Sequence, residues 1–586
     1  MNRKDRRALP TQGHGAAVPA GLSAPAAAAA PVLAEASRYQ QQGKLQEASR
    51  LYKRALAIHP GDAQAHNNLA CILLATGKLD EASARFARSL ELTPELFELY
   101  PDIVAMLVQV NPPIGEAMAR AANAWPRLLS AEDLLGPSGI AVISSDAMLR
   151  CLLEQATIRD LGLERVLTSI RAALLKAATN ADASGRVEEN YLRFCCALAR
   201  QCFINDYVFT SAPEEHKQAE QLKTSLAGAL SSRGAVSPLW PAAVAMYFPL
   251  GSLPDAHSLT VQKWPAPLDD VVTQQVREPR EEQQDQDSIL RLTPIENEVS
   301  RLVRQQYEEN PYPRWVAAAS RQAPVAVIAY LRNEFPLVPF QAPDTGNVIE
   351  ILVAGCGTGR HAIELAQRFK NVHLFAIDLS LSSLGYARRK TRALKMDNIE
   401  YAQADILQLD RIGRSFDVID AGGVLHHLAD PMAGWRILLS LLRPGGFMRI
   451  ALYSALARRD VVAARDFITG QGYGSTADDI RRCRQDLLNS PHKTLARYYD
   501  FFSISECRDL LFHVQEHRLT IPEISSFLSG HGLKFIGFQL PPRILHAYRD
   551  RFPDDRIMTN LDHWQQFETG QPDTFAGMYQ FWVQKD

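Results

Sequence analysis

The residues best suited to chemistry lie between positions 346 and 454 and fall into three groups. A glycine-rich loop, Gly355-Cys356-Gly357-Thr358-Gly359, follows an apolar run. Glycine there gives a ligand clearance to approach the backbone and tolerates angles that other residues avoid. Two carboxylates, Asp378 and Asp405, end later apolar runs; the plain alternative for each is a helix cap. Two histidines, His426 and His427, follow a fourth run, and imidazole suits general-base work near neutral pH. The loop is not a dinucleotide fingerprint. Counted from Gly355, that pattern needs a small residue at position 360 for close helix packing, and Arg360 stands there. Cys356 reads as a small spacer rather than a nucleophile. His513, Glu516 and His517 spell H-x-x-E-H, in which two histidines one helical turn apart bind zinc. LTIPE follows at once and the long helix the motif needs is not evident, so a polar wall or solvated turn is expected, with no metal.

These residues need a scaffold, and the pattern around them supplies one. Strand-forming runs at 347–355, 372–380, 398–406, 416–423 and 447–454 alternate with amphipathic helices at 360–369 and 382–394. The RPGG turn at 443–446 precedes the fifth strand. Such alternation predicts an open parallel sheet with ligand at the strands' carboxyl ends. Two further runs, 533–540 and 577–585, are expected to close the sheet as an antiparallel hairpin. The residues between, 455–532, are too many for a crossover helix and are expected to form a cap over the substrate pocket. Trp564, Phe567 and Phe575 are expected to border it.

In this order the glycine loop GxGxG, the acids ending strands two and three, the VLHHLADP segment and the RPGG turn resemble the class I S-adenosylmethionine-dependent methyltransferases. The resemblance covers residues 346–454. It implies a Rossmann-like α/β domain with a seven-stranded sheet, and S-adenosyl-L-methionine as cofactor. It also implies site roles. Gly355, Cys356, Gly357, Thr358 and Gly359 would lie along the methionine part. Asp378 would accept both ribose hydroxyls. Asp405 would take the adenine amine, with Leu379 and Ile406 against the ring. One departure stands out: where the family often carries an acid two positions before the first glycine, this chain has Val353, and Glu350 is out of register. His426 and His427 are the base candidates, one of them expected to pack inward, and Tyr453, Tyr498 and Tyr499 are expected to orient the acceptor. Upstream, YEENPYPRW (307–315) offers Tyr307, Tyr312, Arg314 and Trp315. Arg314 is a candidate to pair with a carboxylate of cofactor or substrate, the alternative being a structural collar that seals the sheet.

Nearer the start, Gly43, Ala48, Tyr52 and Pro60 recur as Gly77, Ala82, Phe86 and Pro94, each 34 residues on. This resembles the tetratricopeptide (TPR) repeat, whose paired helices interlock through small and aromatic residues. The likeness implies a protein partner, or else a packing module with no peptide ligand. Residues 1–32, basic and then rich in Ala and Pro, read as a disordered tail. Residues 33–100 read as two repeats with a covering helix, 101–299 as a helical domain without a catalytic motif, and 300–586 as the methyltransferase domain. Helices are expected over 149–178 and 187–209, loops over 180–186 and 231–238, and a charged linker over 277–287.

Composition narrows the function. The chain has 586 residues, 63 Lys+Arg against 65 Asp+Glu, and a formal net charge of −2, which lowers the weight of a nucleic-acid binder. No apolar run approaches membrane-spanning length. Eight cysteines show no C-x-x-C pair and read as reduced thiols of a cytoplasmic protein. The expectation is a cytoplasmic enzyme that moves a methyl group to an unidentified acceptor, with TPR repeats recruiting a partner. The alternative is a TPR scaffold whose methyltransferase-like domain is silent.

Overall fold

Alanine, the strongest helix former, sets the first element. The computed structural model describes residues 24–99, 101–181, 187–316, 323–341 and 348–586. Within it a helix spans Ala24–Gln41, running through Pro31 and burying Ala29 and Ala36. The disordered tail expected over 1–32 therefore does not reach 32. Side chains that are mostly methyl groups lose almost no entropy in a helix, and two of them are buried. Residues 1–23 lie outside the described residues, as does most of the loop expected over 180–186.

The chain divides into two compact units. One takes the described residues up to Phe203 together with Ser211–Phe248 and Lys263–Val271. It begins with two helical hairpins, Ala24–Gln41 with Leu45–Ile58 and Ala63–Ala75 with Leu79–Leu92. Gly43 and Gly77 turn each pair at φ +74° and +79°. Ala48 and Ala82 are fully buried beside Tyr52 and Phe86, the packing that the 34-residue period requires. The turn Pro94–Leu99 and the helix Pro101–Val110 follow and pack on the last repeat helix. Further on, the helix expected over 149–178 is two, Ala147–Gln155 and Leu161–Thr179. Asp160 caps the second, and Gln201 satisfies the break by bonding Leu153, Ala156 and Ile158 backbone groups. Cys195, Cys196 and Cys202 are buried core thiols.

The other unit takes Ile204–Thr210, Pro249–Gln262 and Val272–Asp586. Its sheet has eight strands: β1 Leu290–Arg291, β2 Ile349–Ala354, β3 Val372–Asp378, β4 Ile399–Gln403, β5 Phe416–Gly422, β6 Leu442–Leu452, β7 Leu533–Phe538 and β8 Tyr579–Lys585. Their order is β1-β4-β3-β2-β5-β6-β8-β7, with only β8 antiparallel to its neighbours. The seven strands and the final hairpin expected from the sequence are present. The eighth, β1, is a two-residue edge strand too short to show a pattern. The strand order reverses at the β2/β5 pair, which opens the ligand crevice there. Both sheet faces are covered, and the central strands are largely apolar. Leu352 and Ala354 of β2 join one core with Phe375, Ile419 and Trp435. Ile351 and Val353 join the other with Leu374, Ala376 and Ala362.

Three boundaries differ from expectation. The charged stretch 277–287 is no linker: Glu278–Asp287 is a helix on the helix Leu381–Ala393. Arg389 pairs with Glu278 and Glu282 at 2.9 and 2.8 Å, and Arg392 with Asp285 at 2.7 Å. Gly385 lets the helices close, since a Cβ there would lie 2.6 Å from the Glu282 carbonyl oxygen. The unit thus resumes at Val272, not 300. The stretch expected as a cap, 455–532, does not all lie apart from the sheet's core. Within it lie the helices Arg459–Gln471, Ala477–Leu488 and Ile504–Phe512, whereas Ile521–Gly530 packs into the core, with Phe527 stacked 4.1 Å from Trp435, and leads into β7. Trp564, Phe567 and Phe575, expected to border the pocket, lie in the core. They are buried with Tyr548, whose ring stacks on Trp564 at 3.8 Å.

Candidate functional site

The glycine loop leaves β2 at the crevice. Gly355, Gly357 and Gly359 have φ of +74°, +52° and +80°, a region that favours glycine. Each also lacks room for a side chain. A Cβ would meet Val424 Cγ2 at 2.5 Å from Gly355, the Tyr312 carbonyl oxygen at 2.6 Å from Gly357, and Ala387 Cβ at 2.5 Å from Gly359. Gly359 then opens the helix Arg360–Arg368. Cys356 is buried, its thiol pushed well up by burial, and its backbone N–H donates to Ile377. Thr358 is also buried, its hydroxyl donating to the Pro313 carbonyl.

Asp378 stands at the end of β3, half-buried. One carboxylate oxygen accepts the Gly357 N–H at 2.8 Å and the other the Ser380 N–H at 2.9 Å. Each oxygen keeps further acceptor capacity, so the acid braces the loop and still offers both oxygens to a pair of hydroxyls. Burial raises its pKa, with the nearby Glu308 charge adding to it. Asp405, after β4, is buried. Its Oδ1 accepts the Leu407 N–H at 3.0 Å, while its Oδ2 has no partner among the described residues. An unpaired buried carboxylate oxygen is costly, and a ligand N–H would satisfy it. Leu379 is half-buried beside Asp378. Ile406, expected against a ring, instead turns into the core toward Gly434, and the half-buried side chain there is Leu407.

Val353 is buried and pairs in register with Asp420 of β5. Asp420 bonds His361 at 2.9 Å and Arg449 at 3.3 Å. Burial would raise its carboxyl, but those two neighbours outweigh it and hold it at about 2. Glu350 sits at the far end of β2, paired with His373 at 3.0 Å.

The segment 307–315 lies over the loop. The Tyr312 carbonyl accepts the Thr358 N–H at 3.4 Å, and the Trp315 indole donates to the Thr358 carbonyl at 3.2 Å. Arg314, expected to meet a ligand carboxylate, faces Asp206 at 2.9 Å. Its burial would lower its pKa, but the surrounding negative groups, Asp206 foremost among them, together more than offset that. Arg314 thus belongs to the collar, because Asp206, invisible to a local reading, supplies the carboxylate. Glu308 accepts N–H bonds from Leu381 and Ser382 at 2.8 and 3.0 Å, which fixes the start of the helix after Asp378.

The two histidines separate clearly. His426 is fully buried against Tyr453, ring centroids 3.9 Å apart, and neither ring nitrogen has a partner among the described residues. His427 bonds the Gln515 carbonyl through Nδ1 at 2.7 Å. A carbonyl only accepts, so Nδ1 carries the proton and Nε2 keeps its lone pair. Burial lowers both pKa values, so both rings are neutral near neutral pH. Tyr453 is buried beneath the Arg458 guanidinium, 3.7 Å from its ring centre. Tyr499 is 63% exposed and does not line this wall.

Sequence reasoning did not find the rest of the wall. The Tyr307 hydroxyl donates to Asp509 at 2.5 Å and lies 3.2 Å from His513 Nε2. His513 stacks on His427 at 3.6 Å. Residues 513–518 are not helical, so the H-x-x-E-H spacing does not bring His513 and His517 to one face. Glu516 instead pairs with Arg458 at 2.6 Å, and His517 Nε2 meets Gln515 at 2.8 Å. No local signal marks Asp509; its partners are remote in sequence.

Comparison with known proteins fits this geometry. Residues 351–446 match the family model described as a methyltransferase domain, and residues 39–106 match that of the tetratricopeptide repeat. The chain thus carries one stretch with the pattern of the tetratricopeptide repeat and one with that of a methyltransferase domain. An uncharacterised protein of Synechococcus sp. is 30% identical over 233 residues, 38% of this chain and 54% of that protein. The trans-aconitate 2-methyltransferase of Deinococcus radiodurans is 32% identical over 101 residues, 17% of this chain and 36% of that one. Among solved structures, PKMT2 from Rickettsia typhi aligns with a TM-score of 0.34 at 16% identity, over 44% of this chain and 51% of that one. The chain spans about half the length or less of these relatives. Among the described residues no helix is long and apolar enough to cross a membrane.

Proposed function

We propose that the chain binds S-adenosyl-L-methionine at the β2/β5 crevice and transfers its methyl group to an acceptor, with the TPR segment engaging a protein partner. Asp405 carries the reading: a buried carboxylate oxygen without a partner among the described residues, just after the strand that pairs with that of Asp378, answers an adenine amine. Asp378 offers two oxygens to the ribose hydroxyls. The backbone of Gly355, Cys356, Gly357, Thr358 and Gly359 lies along the methionine part, with Leu379 and Leu407 flanking the base.

The cofactor supplies an electrophilic methyl on a sulfonium. The chain's own residues align the acceptor and exclude water. Tyr307, Tyr312 and Tyr453 form the aromatic side of the acceptor wall. His427 is the base candidate, because its tautomer leaves Nε2 free to take a proton where the acceptor must lose one. His426 is the inward-packed partner and does not exchange protons with the acceptor. The eight thiols, none of them in a disulfide and seven of them buried, support a reducing, cytoplasmic setting.

The test is calorimetric titration of the purified chain with S-adenosylmethionine, with NAD as control. Binding of the first alone is expected. Binding of neither would move function to the TPR scaffold, with the sheet silent.

A further inference from the structure

We propose that His427, Asp509 and His513 form a binding site for a divalent first-row transition metal ion. One ligand atom from each lies within 4.8 Å of the others, and all three residues are buried. They come from the turn after β5, the end of the helix Ile504–Phe512, and the residue that follows it. Asp509 and His513 are one helical turn apart in sequence, which sets both toward His427.

The surrounding bonds are those of a prepared ligand set. A ligating imidazole normally donates its other nitrogen to a carbonyl or carboxylate; His427 does so to Gln515, leaving Nε2 bare. A ligating carboxylate is normally steadied by a hydrogen bond; Tyr307 gives one to Asp509. Asp509 makes no ion pair among the described residues, although it is buried. The charges of Arg458 and Arg465 act on it without forming a direct pair, and a divalent ion held among the three donors would neutralise the carboxylate directly.

Two imidazoles and one carboxylate favour zinc, iron(II), nickel or cobalt over magnesium or calcium. Three ligands leave positions open for an oxygen or nitrogen of a second ligand. Binding also carries a local cost. The rings now stack with 20° between their planes. An ion at about 2.0–2.2 Å from each donor must draw the three together and splay that stack. His513 accepts the Gln515 N–H on Nδ1 at 3.1 Å, so engaging Nε2 moves its proton to Nδ1 and gives up that bond. The expected affinity is therefore micromolar rather than that of a structural zinc centre.

The site shares His427 and Tyr307 with the acceptor wall, so an ion held there would take the place of His427 as a base, and its test uses no cofactor. The full chain is stripped with chelator, desalted, and titrated calorimetrically with zinc, with magnesium as control. One equivalent of zinc is expected to bind, and magnesium is not. Asp509→Asn and His513→Ala should each weaken binding by more than about 100-fold, and Tyr307→Phe, which removes only an outer partner, by about 10-fold. His517→Ala should leave it unchanged. Cobalt(II) gives a second readout, since its visible absorption should change with loss of the Asp509 carboxylate. A near-ultraviolet circular dichroism spectrum matching the parent chain identifies which variants remain folded. Absence of zinc binding below about 1 mM, or binding undiminished in folded Asp509→Asn and His513→Ala, would overturn the proposal and leave the cluster a hydrogen-bonded wall.

Discussion

Gly357 is the residue at which loop, acid and collar meet. Its N–H braces Asp378, its φ is +52°, and the Tyr312 carbonyl fills the space a Cβ would need. Gly357→Ala should cost about 1–3 kcal/mol in urea unfolding and remove S-adenosylmethionine binding together with it. Asp378→Ala and Asp405→Ala leave the backbone free and should weaken binding by about 10–100-fold each, read by calorimetry, with stability little changed. His426→Phe keeps the stack on Tyr453 and removes two buried polar atoms without partners, so its melting temperature should hold or rise, by about 1 kcal/mol in stability. Asp420 gives a pH signature. Its folded pKa of about 2 lies below the ordinary 3.8, so its stabilisation is complete above 3.8 and is lost as pH falls toward 2. Asp420→Asn should erase about 1–2 kcal/mol of the difference between unfolding at pH 6 and at pH 2.5. The loop and both acids were legible because each is announced by its own strand. Asp509 was not, because what gives it meaning is Tyr307, 202 residues away, and His427 beyond.

Elements whose stability is intrinsic were read correctly, and those stabilised by a partner were not. Strands β2 to β6 carry their apolar faces in their own letters. The helix Glu278–Asp287 does not: it is polar nearly all round, and its counter-charges are arginines about a hundred residues on, Arg389 and Arg392. The helix Ile521–Gly530 was assigned to the cap because its destination, the core beside Trp435, is set by packing rather than by period. Arg360, which excluded a dinucleotide site on sequence grounds, pairs along its own helix with Glu364 at 3.0 Å and leaves Gly359 to make the close approach. Gly385→Ala tests the helix–helix contact at this scale. The added methyl meets the Glu282 backbone oxygen, so the helices must part. We expect about 1–3 kcal/mol of destabilisation and faster amide exchange along Glu278–Asp287.

At the scale of the molecule, the unit bearing the sheet depends on residues far upstream. Ile204–Thr210 belongs to it. Asp206 pairs with Arg314 and caps Ser505, and the Tyr207 and Val208 carbonyls accept from Arg481 and Arg484. Expression of residues 300–586 alone should therefore give a poorly folded product, lacking also β1 and the helix Glu278–Asp287. A fragment from residue 272 should recover the sheet but melt lower than the full chain, because Arg314 and Arg484 lose these partners. Thermal melts and limited proteolysis of the two fragments check both outcomes. The 34-residue period located the repeats, but no periodicity encodes which short segment crosses into which unit.

That crossing has an evolutionary reading. The chain passes between its two units five times, after residues 203, 210, 248, 262 and 271. No single cut separates them without stripping one of a segment it needs. A unit joined by a tether can be exchanged by one recombination event; this one cannot. The helical unit and the sheet are expected to be inherited as a single piece, so grafting either onto another protein requires transplanting the interleaved stretch from 204 to 271 with both.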